Sequence, residues 1–595
     1  MAAQAHSAAS LVVLALLSAV AALSTSSRHR YQVGDPVPLS VNKVWPFDNP
    51  SESYQYFDLP FCSPPAQLKW KASLGEALNG DRLFASSYNI QFRVSRDRET
   101  LCKIALDSDR VKMFRQAIAK DFCFQMLLDD LPFWGFVGRI EDLSFVSPRG
   151  GSDDTIKYYL FTHLDFHVLY NGDTVIEVGA FSDPSYAVDL TDSVSVDINF
   201  TYSVDWKETS KRFEDRMEKY STAALVSSRQ RIHWLSLLNA IGVTVLCLCL
   251  LGMLYMNIRK NNLIMIGGED GAPEDKEVGW KYIHGDVFRC PKNLPLLSAV
   301  LGMGTQLLTM AFSLFILAFL GILHPYSRGR LFTALVFSYS LTSIIGGYTA
   351  TSFYCQFAAT GWEWTLFLTG ILYSGPFFVI FMSLNTISVY HGVTAAVTFS
   401  TFMLLLTLYI FLTLPLLALG GVIGCCSRSV FQSPSAVKPL PREIPSLAWY
   451  RRTPGQMLLG GFVPFSVVIA ELHYLIATLW GYKIYTLPSI LFLTFIFFIL
   501  LTAILSVGMT YLRLSGEDHE WWWRSMISGA SPAIFMYCYC IYYFATSSIS
   551  GFLQITFFLG YNACLCYAVL LMLAAISFRV SFFFVCKTYS SVKSE

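Results

Sequence analysis

Glu471 and His473 place a carboxylate and an imidazole two positions apart inside an apolar stretch at 456–480. An ionisable group at bilayer depth is costly and normally faces a polar partner or a water path. One reading is a proton or cation relay in a channel or transporter, with Gln306, Asn385 and Asn562 lining the route. The other is an interhelical hydrogen bond closing a buried seam. A single acid is thin provision for a coupled pump, and no inverted repeat is visible, which favours the seam. His163, Asp165 and His167 alternate along one strand face. Such a trio can share a zinc or copper ion or sense pH near ~6.5, but a solvated strand face needs no further ligand, and none accompanies it. The charged run Gly516 to Arg524 ends in three tryptophans and an arginine, an arrangement that fixes a helix end at a membrane interface. No Gly-rich phosphate loop, His-Glu-x-x-His helix or Ser/Cys triad appears, so neither enzyme activity nor a cofactor or metal is expected.

The elements that must hold these residues follow from composition. The 595 residues are 54% apolar and 14% charged, against ~25% charged in soluble domains. With mean hydropathy +0.46 the chain reads as a membrane protein, and its net charge of +1 argues against nucleic acid as a partner. Leu11 to Leu23 is an apolar run too short to cross ~30 Å of hydrocarbon. Residues 1–23 therefore read as a secretory signal peptide, with an uncleaved anchor as the alternative. Residues 24–232 resemble a soluble domain, 233–584 hold the spans, and 585–595 form a tail. Nine stretches can cross: about 233–256, 296–321, 331–353, 365–388, 394–417, 456–480, 486–510, 529–548 and 560–584. Loops assigned to the cytosol then carry fifteen Lys and Arg, among them Arg442, Arg451, Arg452 and Lys587, against three in lumenal loops.

The soluble domain is expected to be β-rich and sandwich-like. Val194 to Trp206 alternates strictly, and Leu160 to Tyr170 repeats the pattern before the turn Asn171-Gly172-Asp173 and a return strand, 174–178. Helices are expected over 111–128 and over 207–220, the latter leading into the membrane. Asn199-Phe200-Thr201 is a sequon on the polar strand face, a glycosylation site if the domain is lumenal. An oxidising lumen favours one bridge among Cys62, Cys102 and Cys123. Because Cys123 falls in the apolar stretch Phe122 to Leu128, Cys62 and Cys102 are the expected pair.

Motifs recur in an order that resembles the nonaspanin, or transmembrane-nine, family over nearly the whole chain. They include Leu59-Pro60-Phe61-Cys62, Ser73-Leu74-Gly75-Glu76 with Gly80-Asp81-Arg82, and Asp129-Asp130-Leu131-Pro132. Further along stand Ile232-His233-Trp234, Gly279-Trp280-Lys281, His284-Gly285-Asp286-Val287-Phe288-Arg289, Glu471-Leu472 and Trp521-Trp522-Trp523-Arg524. Gly347-Tyr348-Thr349-Ala350 departs from the pattern by lacking a basic residue. The resemblance implies a Golgi and endosomal multi-pass protein that sorts other membrane proteins. It also implies that Lys593-Ser594-Glu595 is a retention signal read by the coatomer (COPI) coat from a cytosolic tail. Tyr589 to Val592 could serve as an adaptor motif or as an interfacial anchor. Clients with glycine-rich spans are a further implication. Gly302, Gly304, Gly346, Gly347, Gly420, Gly424, Gly460 and Gly461 could border a client groove or pack the protein's own bundle.

Overall fold

The computed structural model describes residues 29–49, 51–64, 69, 72–142, 156–192, 194–217, 227–267, 283–323, 329–427, 430–433, 442–445, 448–480, 488–547, 549 and 551–590. The expected signal peptide, Val592 and Lys593-Ser594-Glu595 lie outside them. Two parts are present: a strand-rich head and a helical bundle.

The head is built on three sheets. In the first, β1 (Leu39–Pro46) lies between β2 (Tyr54–Gln55) and β5 (Phe122–Leu128), with β6 (Leu131–Phe136) beyond β5 and the short β3 (Phe84–Ala85) also pairing β1. The second runs β10 (Thr174–Ser182), β9 (His163–Asn171), β12 (Val196–Glu208), β4 (Arg96–Leu106). The third joins β7 (Gly138–Asp142), β8 (Ile156–Leu160) and β11 (Val188–Asp189). Alternation places Ile198, Phe200, Tyr202, Val204 and Trp206 of β12 in the core and leaves Asp197 and Asn199 exposed. The turn Asn171-Gly172-Asp173 closes the β9–β10 hairpin with Gly172 at φ 61°.

Two local expectations are corrected. After the short α1 (Leu74–Leu78), the helix expected over 111–128 is present only in its first part, as α2 (Ser108–Ala119); the rest, Phe122–Leu128, is strand β5. Asp107 caps α2 by accepting from Arg110 N at 3.0 Å, and Asp121 at φ 49° breaks it. The next seven residues are buried on both faces of a central strand, and such a run has no period to separate it from a helix. The helix expected over 207–220 is instead the end of β12 and a short 3-10 turn, Phe213–Met217; residues 218–226 lie outside the described residues. Cys62 and Cys102 are joined by a disulfide, Cα atoms 6.1 Å apart, and Cys123 is a buried free thiol on β5, pushed up to about 12 by burial. Asp129 and Asp130, at φ 47° and 66°, form the β5–β6 turn. The buried Asp129 carboxylate accepts from Tyr31 Oη at 2.7 Å and faces Arg216 at 3.4 Å, and burial raises its pKa.

Among the described residues, eight helices are long and apolar enough to cross a membrane. We number the elements that form them α3 (Ser227–Gly267), α4 (Leu294–Phe319), α5 (Arg330–Tyr354), α6 (Trp362–Tyr390), α7 (Phe399–Cys426), α8 (Thr453–Leu479), α9 (Pro488–Leu514) and α12 (Phe552–Ser590). The eighth expected stretch, 529–548, is broken into α10 (Trp521–Ala530) and α11 (Pro532–Thr546). Pro532 has no N–H for the carbonyl of Ser528, which Ser531 Oγ bonds instead at 2.6 Å. In α7 a π-helical turn at Tyr409–Thr413 precedes Pro415, whose missing N–H likewise interrupts the ladder. The expected span 394–417 is displaced toward the C-terminus as Phe399–Cys426.

Small residues decide the packing. A Cβ on Gly347 would strike the carbonyl of Leu417, and one on Gly420 the carbonyl of Ile344, so α5 and α7 touch backbone to backbone. Gly424 meets Thr351, Gly302 meets Ala350, Gly304 meets Leu571, and Gly346 meets Gln306. Gly460 and Gly461 face Met509 and Phe535. All eight glycines are therefore occupied by the protein's own helices, and the groove they might have bordered is filled. Gly420→Val is expected to separate α5 from α7 at a cost of about 1–3 kcal/mol. A lowered melting temperature of the detergent-solubilised chain would register this, and an unchanged one would refute the tight seam.

Candidate functional site

Glu471 lies on the face of α8 that also carries Pro464 and Val467, and all three are buried. Its partner comes from α3. His233 Nδ1 sits 2.9 Å and 3.1 Å from the two carboxylate oxygens, with the side chains 3% and 1% exposed. The Tyr474 ring stacks obliquely on the imidazole at 4.8 Å between centroids. Below the pair, Ala240 and Cys247 of α3 pack on Val467 of α8 and on Leu501 and Ile504 of α9. A carboxylate at this depth is tolerable because a hydrogen-bonding imidazole meets it.

His473 does not join this pair. Residues two apart on a helix point about 200° apart, and His473 is exposed on the opposite side, with Nδ1 3.0 Å from Tyr539 Oη of α11. The expected route residues also separate. Gln306 Nε2 donates to the Tyr339 carbonyl at 3.1 Å, Asn385 Oδ1 accepts from Val397 N at 2.7 Å, and Asn562 is buried in α12. The relay is thus not assembled, and the seam hydrogen bond is. Sequence reasoning missed His233, although Ile232-His233-Trp234 stood out as a motif; a partner 238 positions away has no local signature.

A second constellation joins the head to the bundle. Ser53 Oγ lies 2.7 Å from Thr394 Oγ1, and Thr394 N donates to Ser53 O at 2.7 Å. Arg82 Nη2 donates to Ala396 O at 2.7 Å, and Gln554 Nε2 to Asp48 O at 3.4 Å. The Gly80-Asp81-Arg82 motif is held from behind by Asn42, which donates to Asp81 at 2.9 Å and accepts from Arg82 N at 2.8 Å. Gly75 on α1 abuts Gly329 at the start of α5 so closely that a Cβ on either would overlap the other's backbone. These contacts all fall on one side of the bundle, the head face.

The opposite, far face is closed by the tryptophan run. Trp521 and Trp522 donate to the Val287 carbonyl at 3.0 and 3.3 Å, and Trp523 to Lys292 O at 2.9 Å. Asp518 and Glu520 are both bound by Arg524. Arg513, 1% exposed, reaches Gln456 and Ser528. The run expected to be an interfacial loop is therefore a wedge between α9 and α12. Tyr589 is 2% exposed inside α12, its ring 6.0 Å from Phe288. An adaptor motif needs an accessible extended tyrosine and an interfacial anchor a partly exposed one, whereas Tyr589 is packed into the core of the bundle.

In the head, His163 is buried with Nδ1 on Thr201 Oγ1 at 2.7 Å and Nε2 on Asp165 and Ser203, each at 3.0 Å. Both ring nitrogens are engaged by protein, while His167 faces outward beside Asp205 at 3.6 Å. Among the described residues no three His, Cys, Asp or Glu side chains are grouped to hold a metal. Asn199 is exposed on β12, opposite Lys103 of β4.

A family model described as endomembrane protein 70 matches residues 53–552. The chain is similar to transmembrane 9 superfamily member 5 of Arabidopsis thaliana, 50% identical over 98% of each chain. It is also similar to member 1 of Mus musculus, at 37% identity over 95% of this chain and 94% of the relative. A putative phagocytic receptor 1b of Dictyostelium discoideum shares 34% identity over 98% of both. No solved structure matches.

Proposed function

Because the chain belongs to the endomembrane protein 70 family, the transmembrane 9 proteins, we propose that it sorts other membrane proteins in the Golgi and endosomes. In this reading the head face is lumenal, the far face is cytosolic, and Lys593-Ser594-Glu595 recruits the coatomer coat. The observation that carries it is the course of α12, which stays helical to Ser590 on the far face and leaves five residues to the end of the sequence. The segment before α8, with Arg442, Arg451 and Arg452, and Lys587 near the end of α12 are the basic residues expected on the cytosolic side. A cation two residues from a terminus that carries two carboxylates is a compact charge pattern suited to a coat groove. The exposed sequon at Asn199 and the Cys62–Cys102 bridge agree with a head in an oxidising lumen. Clients with glycine-rich spans would lie along the outer face of α3, where Leu238, Val245 and Met253 are exposed and Gly242 has open space beside it.

Replacing Lys593 and Glu595 by alanine together tests the reading in cells. The expected outcome is escape of the protein from the Golgi by fluorescence microscopy and reduced surface delivery of a reporter with a glycine-rich span. Golgi residence of the doubly altered chain would overturn the signal.

A further inference from the structure

We propose that the far face carries a seat for a phosphorylated headgroup, in a cavity between the segment before α8 and the turn after α9. The cavity is a depression open to solvent, of about 380 Å³, lined by Tyr450, Arg451, Ser515, Gly516 and Glu517, with Pro445 and Ala448 as its apolar wall. That volume lies at the lower end of the range for small-molecule sites and suits one phosphate-bearing ring.

Three features point to an anion. Arg451 Nε is buried without a hydrogen-bond partner among the described residues, which leaves a donor of a permanent cation unused beside the cavity. Its guanidinium is 5.8 Å from the Tyr450 ring centroid, a position that holds the fork without neutralising it. The one acid in the wall, Glu517, is bound by Arg442 at 3.1 Å, and the neighbouring Asp518 is taken by Arg524, so these two acids are compensated from elsewhere. Arginine recognises phosphate through paired N–H donors, and a buried donor left open is otherwise costly.

The depth of the cavity is that of a lipid headgroup. It sits where α9 ends at Leu514 and α8 begins at Thr453. Trp449 and Tyr450 beside it are 72% and 53% exposed, as belongs to aromatic side chains at a membrane interface. The first turn of α8 packs against the same segment, since a Cβ on Gly455 would come within 2.7 Å of the Trp449 carbonyl. The positive end of that helix dipole adds to the field. A phosphate monoester on a cytosolic-leaflet inositol lipid and the same group on a soluble inositol phosphate share this chemistry. The lipid source rests on the orientation proposed above; the seat itself does not.

The purified full chain in nanodiscs separates these cases. Discs of phosphatidylcholine alone are compared with discs containing a few mole per cent phosphatidylinositol 4-phosphate, with retained lipid counted by native mass spectrometry. Soluble inositol 1,4-bisphosphate is titrated against the lipid-free discs. Retention of the phosphoinositide identifies a lipid seat, and saturable binding of the soluble compound alone identifies a soluble ligand. In either case Arg451→Gln is expected to weaken binding about tenfold or more, the scale of a lost charge-assisted contact. Glu517→Gln is expected to tighten it, a gain that misfolding cannot mimic. Equal binding by all three chains, or binding by none, overturns the seat. Neither result bears on the coat signal, whose test is localisation.

Discussion

Glu471→Ala is expected to cost about 3–5 kcal/mol, because it removes the carboxylate that meets the buried His233 Nδ1. The size of the effect follows from the asymmetry of buried pairs, in which losing one member strands the other's polar atoms without solvent. Glu471→Gln keeps an acceptor for the imidazole N–H and is expected to lose far less. Replacing both members together, His233→Leu with Glu471→Met, should recover much of the loss, since the seam then becomes apolar throughout. Denaturant unfolding of the detergent-solubilised chain would measure each step, and additive single and double effects would show that the two side chains do not act as a pair. His473→Ala supplies the contrast. That residue is exposed and bonded to Tyr539 at 3.0 Å, so its removal should change stability little. A relay through Glu471 and His473 would behave the other way, with flux lost in both single variants and stability nearly intact.

The features legible in the chain were those with a local physical signature. Apolar runs of spanning length mark most of the bundle, because a helix must bridge ~30 Å of hydrocarbon whatever it packs against. The β9–β10 hairpin was legible because Asn171-Gly172-Asp173 supplies the turn and alternation supplies both strands. Where burial on both faces erased the period, as in Phe122–Leu128, helix and strand looked alike. The break between α10 and α11 was signalled only by Pro532, inside an apolar stretch long enough to span. Of the buried pair, Glu471 was visible as an acid among apolar neighbours, whereas His233 lies near a helix start where a histidine is unremarkable. The glycines were visible as small residues, but which backbone each one meets is a property of the assembled bundle. The family motif around Gly75 and Arg82 had no reading at all until the head was seen resting on Gly329 and Ala396.

Gly75→Val is expected to lift the head off the bundle. Gly75 belongs to a five-residue helix whose start is fixed by a capping box, with Ser73 N donating to Glu76 Oε2 at 2.8 Å and Glu76 N to Ser73 Oγ at 3.4 Å. That helix cannot yield locally, and Gly329 opposite is held at φ 62° as the residue before α5, a conformation other side chains rarely adopt. Neither backbone can therefore retreat from a new side chain without breaking the helix start it belongs to. The hydrogen bonds from Arg82 to Ala396 and between Ser53 and Thr394 should part with them. Ser53→Cys combined with Thr394→Cys, at two side chains whose hydroxyl oxygens lie 2.7 Å apart, would report the docking by forming a cross-link. Cross-linking is expected in the otherwise native chain and is expected to fall by about tenfold or more with Gly75→Val, the change produced by ~1.4 kcal/mol of lost docking energy. Undiminished cross-linking would mean that the glycine contact does not hold the head. Gly420→Val separates this effect from general damage, because it opens the seam between α5 and α7 while leaving the start of α5 in place. It should lower the melting temperature and preserve the cross-link. Head position and bundle stability are then distinct properties of α5, set by glycines at its two ends of contact: Gly329 against the head and Gly347 against α7.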